Sequence, residues 1–318
     1  MVTIRRVGKN QTDVLIDRNL TDVLKFIACL AVAMSHYSGY VVANGISSSF
    51  FYKVLAANGG YIGVAFFFFL SGYGLMKSDM KHHLSFYQYF KRRLLKTYLP
   101  AVLVSALWLG VAAFTSFDLL CNQHYFLGVV WRFNDEVLWF VNSILIMYIA
   151  FGLYCAIKQY LDKNAWILLF FFAVASYGFL HHFNIGSTMS VPLFFIGVLT
   201  AQYGGAIRHC FQNTYVGIAF ILIAIISLIL FRHDNYLLHG WINYISISVF
   251  IWALCRWNII VSKVPKWLGP FSYDVYLVHN KVHLSILYFI GIDSLGLFLP
   301  LTAILSIGVY QLHKHISF

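Results

Sequence analysis

Apolar runs, each about as long as a bilayer core is thick, follow one another through this chain with only short segments between them. A helix needs roughly 20 apolar residues to cross the hydrocarbon core. Runs of that kind lie at about 20–42, 60–77, 98–117, 136–157, 164–181, 190–205, 214–231, 237–255, 270–290 and 294–312. Of 318 residues, 60% are hydrophobic and 10% charged, with a mean hydropathy of +0.75. Soluble domains run at about 45–50% and about 25%. A water-soluble fold of this size could not hide so much apolar surface. The expectation is an all-α, polytopic transmembrane bundle of about 10 spans, a single domain over residues 1–318 with no appended soluble domain.

Charge supplies the orientation. The net charge is +11, but the basic residues sit in short segments between apolar runs, which is the pattern of cytosolic loops rather than of a nucleic-acid surface. With alternating spans and a cytosolic N-terminus, all but Lys53, Arg132, Arg232 and Lys281 of the 22 basic side chains fall on one face. Both termini are therefore expected in the cytosol. The stretch 83–96, HLSFYQYFKRRLLK, is too charged to span and reads as an amphipathic surface helix. Five scattered cysteines without a CxxC pair indicate neither a disulfide framework nor a zinc site. The polar, basic lead before a long first run reads as a retained helix, not a cleaved signal.

The first run, DVLKFIACLAVAMSHYSGY, carries two residues foreign to lipid. Lys25 and His36 are eleven positions apart, about three turns plus 20°, so they share one helix face about 16 Å apart along the axis. A lysine near a helix end can snorkel, and a membrane histidine can bond a neighbouring helix. Two ionisable groups on one stripe favour function. A cation at the mouth suits phosphates, and an imidazole deeper in suits a general base. Coenzyme A, a phosphorylated head on a long arm ending in a thiol, has the matching shape.

Several fragments, taken in order, resemble the membrane acyltransferase-3 family, integral membrane enzymes that acylate surface glycans and other extracytoplasmic acceptors. The family's hallmark is Arg or Lys, ten residues, then His in the first helix, often after Asp-Gly-Leu. Here it reads Asp22-Val23-Leu24-Lys25, then His36, with valine for glycine and lysine for the commoner arginine. GYIGVAFFFFLSGYGL resembles the second span through Gly63, Val64, Phe67, Phe68, Ser71, Gly72 and Tyr73; Ala65 stands where an acidic residue is common. KRRLLKTYLP, LWFVNSILIMY, PLFFIGV and FSYDVYLVHN resemble the third, fourth, later Phe-Phe-x-Gly and Tyr-Leu-x-His elements.

The resemblance implies an acyl-CoA co-substrate, most often acetyl-CoA, bound from the cytosol, with no tightly bound cofactor and no metal. The acceptor it implies is a hydroxyl of a surface glycan or lipid-linked sugar, at a bacterial inner or plasma membrane among membrane lipids. His36 would be the catalytic residue, as general base or through a transient acyl-histidine. Lys25, with Arg92, Arg93 and Lys96, would bind acyl-CoA; a basic run beside a membrane also suits anionic lipid. On the outer side, Trp131, Arg132, Glu136, Trp139 and Asn142 are candidates for the acceptor, an interfacial aromatic belt being the plainer reading. His181 and His182 are expected in a loop, and His279 in a structural hydrogen bond. Ser71 beside Gly72 reads as a close-packing position. The competing functional classes are a transporter or flippase of a glycan precursor, without acyl chemistry, and a non-catalytic partner in polysaccharide export. No internal symmetry of the transporter kind is visible.

Overall fold

The computed structural model describes residues 3–6, 15–82, 85–114, 139–158, 160–161, 165–183, 188–213, 215–219, 222–223, 226, 235–257, 259–291 and 294–316. Its helices follow the apolar runs. In order the named elements are β1 (Thr3–Arg6), α1 (Arg18–Ala43), α2 (Phe50–Val54), α3 (Gly60–His82), α4 (Phe86–Arg93) and α5 (Leu99–Phe114). They continue with α6 (Trp139–Lys158), α7 (Ala165–His182), α8 (Val191–Gln202), α9 (Gly204–Gln212) and α10 (Asn235–Trp257). The chain then forms β2 (Ile259–Ser262), α11 (Leu268–Ile290) and α12 (Leu295–Ile316).

The fold is a helical, multi-pass membrane architecture. Among the described residues, 6 helices are long and apolar enough to cross a membrane, or up to 7 if the pair Thr188–Gln202 and Gly204–Phe211, bent by 94°, is one broken span. The expected count of about ten is not confirmed among the described residues, for identifiable reasons. α11 occupies the ninth run, but Asp274, His279, Lys281 and His283 lower its hydropathy. α5 has 16 residues, and the run at 214–231 lies mostly outside the described residues.

Two π-turns lengthen helices that sequence reasoning cut short. Leu55–Gly59 joins α2 to α3, so one helical stretch runs through Phe50–His82, where the reading from hydropathy began the second span only at about residue 60. Leu94–Tyr98 joins α4 to α5 in the same way. Such wider turns insert into a helix without ending it.

Two compact units make up the chain, each from two stretches of sequence: Met1–His82 with Pro192–Gly269, and His83–Val191 with Pro270–Phe318. In the first, Asp17 caps α1 by accepting from the Leu20 N–H at 2.6 Å. α1 and α3 then approach closely because small residues line both. A Cβ on Gly63 would stand 2.6 Å from the Ala28 carbonyl oxygen and 2.7 Å from Val32 Cγ2; one on Gly60 would stand 3.2 Å from Ser35 Oγ. At the α3–α8 crossing, Gly72 lies against the Phe194 carbonyl and Gly197 against the Phe69 carbonyl, with no room for a Cβ on either. The Ser-Gly-Tyr and Phe-Phe-Ile-Gly fragments are therefore the two sides of one helix crossing. Phe66 and Phe69 of α3 meet Phe250 of α10 edge to face, at 5.1 and 6.3 Å between centroids.

A short ladder, not foreseen from the sequence, closes one end of this unit. β1 pairs antiparallel with β2, Thr3 opposite Ser262 and Arg6 opposite Ile259. The Asn19 amide donates to the Val261 carbonyl at 3.0 Å, and the Ile16 N–H donates to the Tyr73 hydroxyl at 3.1 Å. The start of α1, the last part of α3 and the segment after α10 thus share one end, as alternating spans require.

In the second unit, the Tyr89 hydroxyl of α4 donates to the Tyr148 carbonyl of α6 at 3.1 Å. Gly152 makes space for α4, since a Cβ there would stand 2.9 Å from Phe86. The Tyr273 hydroxyl donates to the Thr97 carbonyl, which ties the start of α11 to the turn before α5. Trp108 Nε1 donates to Ser285 Oγ at 3.3 Å, and His313 Nδ1 lies 3.2 Å from Asp274 Oδ1.

Candidate active site

α1 is unbroken over its 26 residues, so the phase between Lys25 and His36 is that of a regular helix. Helical spacing lines up Lys25, Cys29, Val32 and His36 at i, i+4, i+7 and i+11, one stripe. Its middle is sealed: Cys29 is 0% exposed and Val32 2%. Its ends are open, with Lys25 half-buried and His36 exposed. The residues that meet α3 (Ala28, Val32 and Ser35 among them) centre about 60° away, with Val32 shared between the two faces. The glycine-lined contact with α3 therefore fixes the rotation of α1, and the Lys25–His36 stripe borders that contact at Val32.

Asp22 anchors the basic end of this stripe. Its carboxylate packs against Gly269, where a Cβ would collide with Oδ1. Gly269 is in the first turn of α11, where free N–H groups favour a carboxylate. The same carboxylate lies 4.0 Å from Arg18 Nε, whose side chain is 84% exposed, a pairing of little energetic weight. The Asp of the Asp-x-x-Lys fragment thus positions α1 and lies within electrostatic reach of Lys25, one turn further on.

The other candidates belong to the second unit. Arg92 and Lys96 are exposed, and Arg93 is half-buried. The Arg93 guanidinium lies over two rings, 5.8 Å from the Tyr89 centroid and 5.6 Å from that of Tyr148. Its buried Nε has no hydrogen-bond partner among the described residues. Contact with two rings holds a cation in place, whereas Arg92 and Lys96 are exposed. Trp139 stands edge-on to Phe140 at 6.4 Å, and Asn142 is 4% exposed within α6. Trp131, Arg132 and Glu136 lie outside the described residues.

Three points differ from or add to the sequence reading. His181 and His182 end α7 rather than sitting in a loop, and His181 stacks on Tyr177 at 5.9 Å. His279 makes the structural bond expected of it, its Nδ1 lying 2.6 Å from the Tyr276 carbonyl. The buried Asp274–His313 pair was missed. The signal was present, a carboxylate inside an apolar run, but its partner is 39 residues away on another helix.

The family profile described as an acyltransferase domain matches residues 20–310 of this chain. No curated protein and no solved structure matches it. The profile begins in the first turns of α1 and ends near the close of α12, so it takes in the Lys25–His36 stripe, the glycine crossing of α3 with α8, and the Asp22–Gly269 contact: the chain belongs to the acyltransferase-3 family and is a membrane acyltransferase.

Proposed function

We propose that the protein moves an acyl group, acetyl in the first instance, from acyl-CoA on the cytosolic side to a hydroxyl of a glycan or glycolipid on the opposite side. The observation that carries this reading is the stripe on α1: a cation and an imidazole on one line of an unbroken helix, about 16 Å apart, within a family member. Lys25 binds phosphate of the donor. His36 takes the proton of the acceptor hydroxyl as its oxygen attacks the thioester carbonyl. The C–S bond then breaks, and the leaving thiolate recovers a proton from the imidazolium. Transfer through an acyl-histidine uses the same residue as nucleophile and the same net balance. Arg92, Arg93 and Lys96 are proposed as further anion-binding groups, Arg93 being the best placed by its two tyrosine rings. Trp139 and Asn142 are proposed for the acceptor.

The test is transfer of radiolabelled acetyl from acetyl-CoA into membrane glycan, measured beside donor binding. His36→Ala is expected to abolish transfer and leave donor affinity within about twofold, general-base removal alone being worth about 10²–10⁴ in rate. Wild-type transfer by that variant would end the assignment.

A further inference from the structure

The second unit holds polar groups that acyl transfer, as proposed above, does not use, and they are aligned. On α11, Asp274, Lys281 and Ser285 recur at i, i+7 and i+11, within about 40° of one another. On α12, Thr302, Ser306 and His313 recur at i, i+4 and i+11, within about the same arc. On α5, Ser105 and Trp108 are one turn apart. Contacts join the three helices along these lines: Asp274 to His313 at 3.2 Å and Trp108 to Ser285 at 3.3 Å. Most of the seam is closed to the outside, with Asp274 and Ser306 0% exposed, Ser105 2%, Thr302 4%, Lys281 5% and His313 9%.

Within this seam, three buried oxygens have no hydrogen-bond partner among the described residues: Asp274 Oδ2, Thr302 Oγ1 and Ser105 Oγ. One such atom is a local defect. Three on helices that meet in one seam, one of them on a carboxylate, are another matter, because buried polar groups are almost always satisfied and hydrocarbon offers nothing to satisfy them. Ser285 and Ser306 turn their hydroxyl protons back to the Lys281 and Thr302 carbonyls, at 2.8 and 2.6 Å; Ser306 keeps its lone pairs as acceptors, and Ser285, which already accepts from Trp108, keeps one. A buried water needs two to four polar partners, and the seam supplies them at successive turns. From Asp274 to Ser285 is eleven residues, about 16 Å, or half of a core about 30 Å thick. The end at Asp274 is the basic one: Thr97 beside Lys96, and Lys314 beside His313, share it.

We infer that the α5–α11–α12 seam binds a file of ordered water, which enters at the basic end beside the Asp274–His313 pair and reaches the middle of the membrane. Its ligand is water, held by a carboxylate, an imidazole and hydroxyls, and it is independent of the acyl-transfer reading. The titratable groups electrostatically linked to Asp274 are Tyr273 on its own helix and, by way of Tyr273, Tyr276 on that helix and Tyr148 on α6; α5 carries none.

Hydroxyl-radical footprinting of the full chain in nanodiscs tests this, because radicals made from bound water mark the side chains beside it. Thr302→Cys and Ser105→Cys are near-isosteric probes, and native Cys255, 1% exposed in the first unit, is an internal standard of the same chemistry. The introduced thiols are expected to oxidise at least tenfold faster than Cys255. Rates equal to that of Cys255 would overturn the inference. A density map of the unaltered protein gives a second reading: waters within hydrogen-bond distance of Asp274 Oδ2 and Thr302 Oγ1 are expected, and direct protein partners for both atoms would overturn it. Neither readout depends on acyl transfer, so this inference and the proposed function fail separately.

Discussion

Lys25 and Arg93 are both proposed to bind phosphate, and their surroundings predict different responses to change. Lys25 stands on an unbroken helix, half-buried, at a position where the family pattern accepts either arginine or lysine. Lys25→Arg is therefore expected to keep activity within about threefold, while Lys25→Ala raises the KM for acyl-CoA by about tenfold, the loss of one charge-assisted contact. Arg93 is wedged between Tyr89 and Tyr148. Arg93→Lys keeps the charge but loses the flat stacking surface, so it should raise the donor KM nearly as much as Arg93→Ala. Steady-state kinetics on the purified variants check both. At Gly269 the constraint is steric, since a methyl group there collides with Asp22. Gly269→Ala should lower stability by about 1–3 kcal/mol, read as a fall in thermal midpoint, and should depress activity through the displaced start of α1.

Among the elements, the α3–α8 crossing is the tightest contact described, backbone against backbone at Gly72 and Gly197. Gly197→Val should separate the helices and cost about 3 kcal/mol or more, whereas Gly74→Val, on the same helix as Gly72 but with nothing within 4 Å of its Cβ, should leave the thermal midpoint nearly unchanged. Helix existence was legible in the sequence because apolar runs of membrane length have few alternatives. Helix continuity was not. The π-turns at Leu55–Gly59 and Leu94–Tyr98 leave no mark in hydropathy, and the 94° break after Gln202 falls at Gly204, one of many glycines. The Lys25–His36 pair was legible because both residues lie on one helix, where spacing gives direction. Asp274 and His313 were not, because pairing across helices depends on tertiary packing. The strand TIRR is too short to show an alternating pattern, so the ladder escaped as well.

For the whole molecule, the ladder and the Asn19 and Ile16 contacts put the N-terminal segment, the last turns of α3 and residues 259–269 on a common side. An impermeant thiol reagent should therefore reach Lys263→Cys and an N-terminal tag from the same face of sealed vesicles, and Lys53→Cys only from the opposite face. Labelling of Lys263→Cys and Lys53→Cys from one face would contradict the alternation of spans. The interleaving of the two units has a temporal meaning as well. A ribosome delivers residues 1–82 long before 192–269, and everything between belongs to the other unit. The opening hairpin must wait, half-clothed in lipid, for a strand that emerges some 250 positions later. Nascent chains arrested before residue 262 should thus be the ones that quality-control proteases of the membrane recognise first.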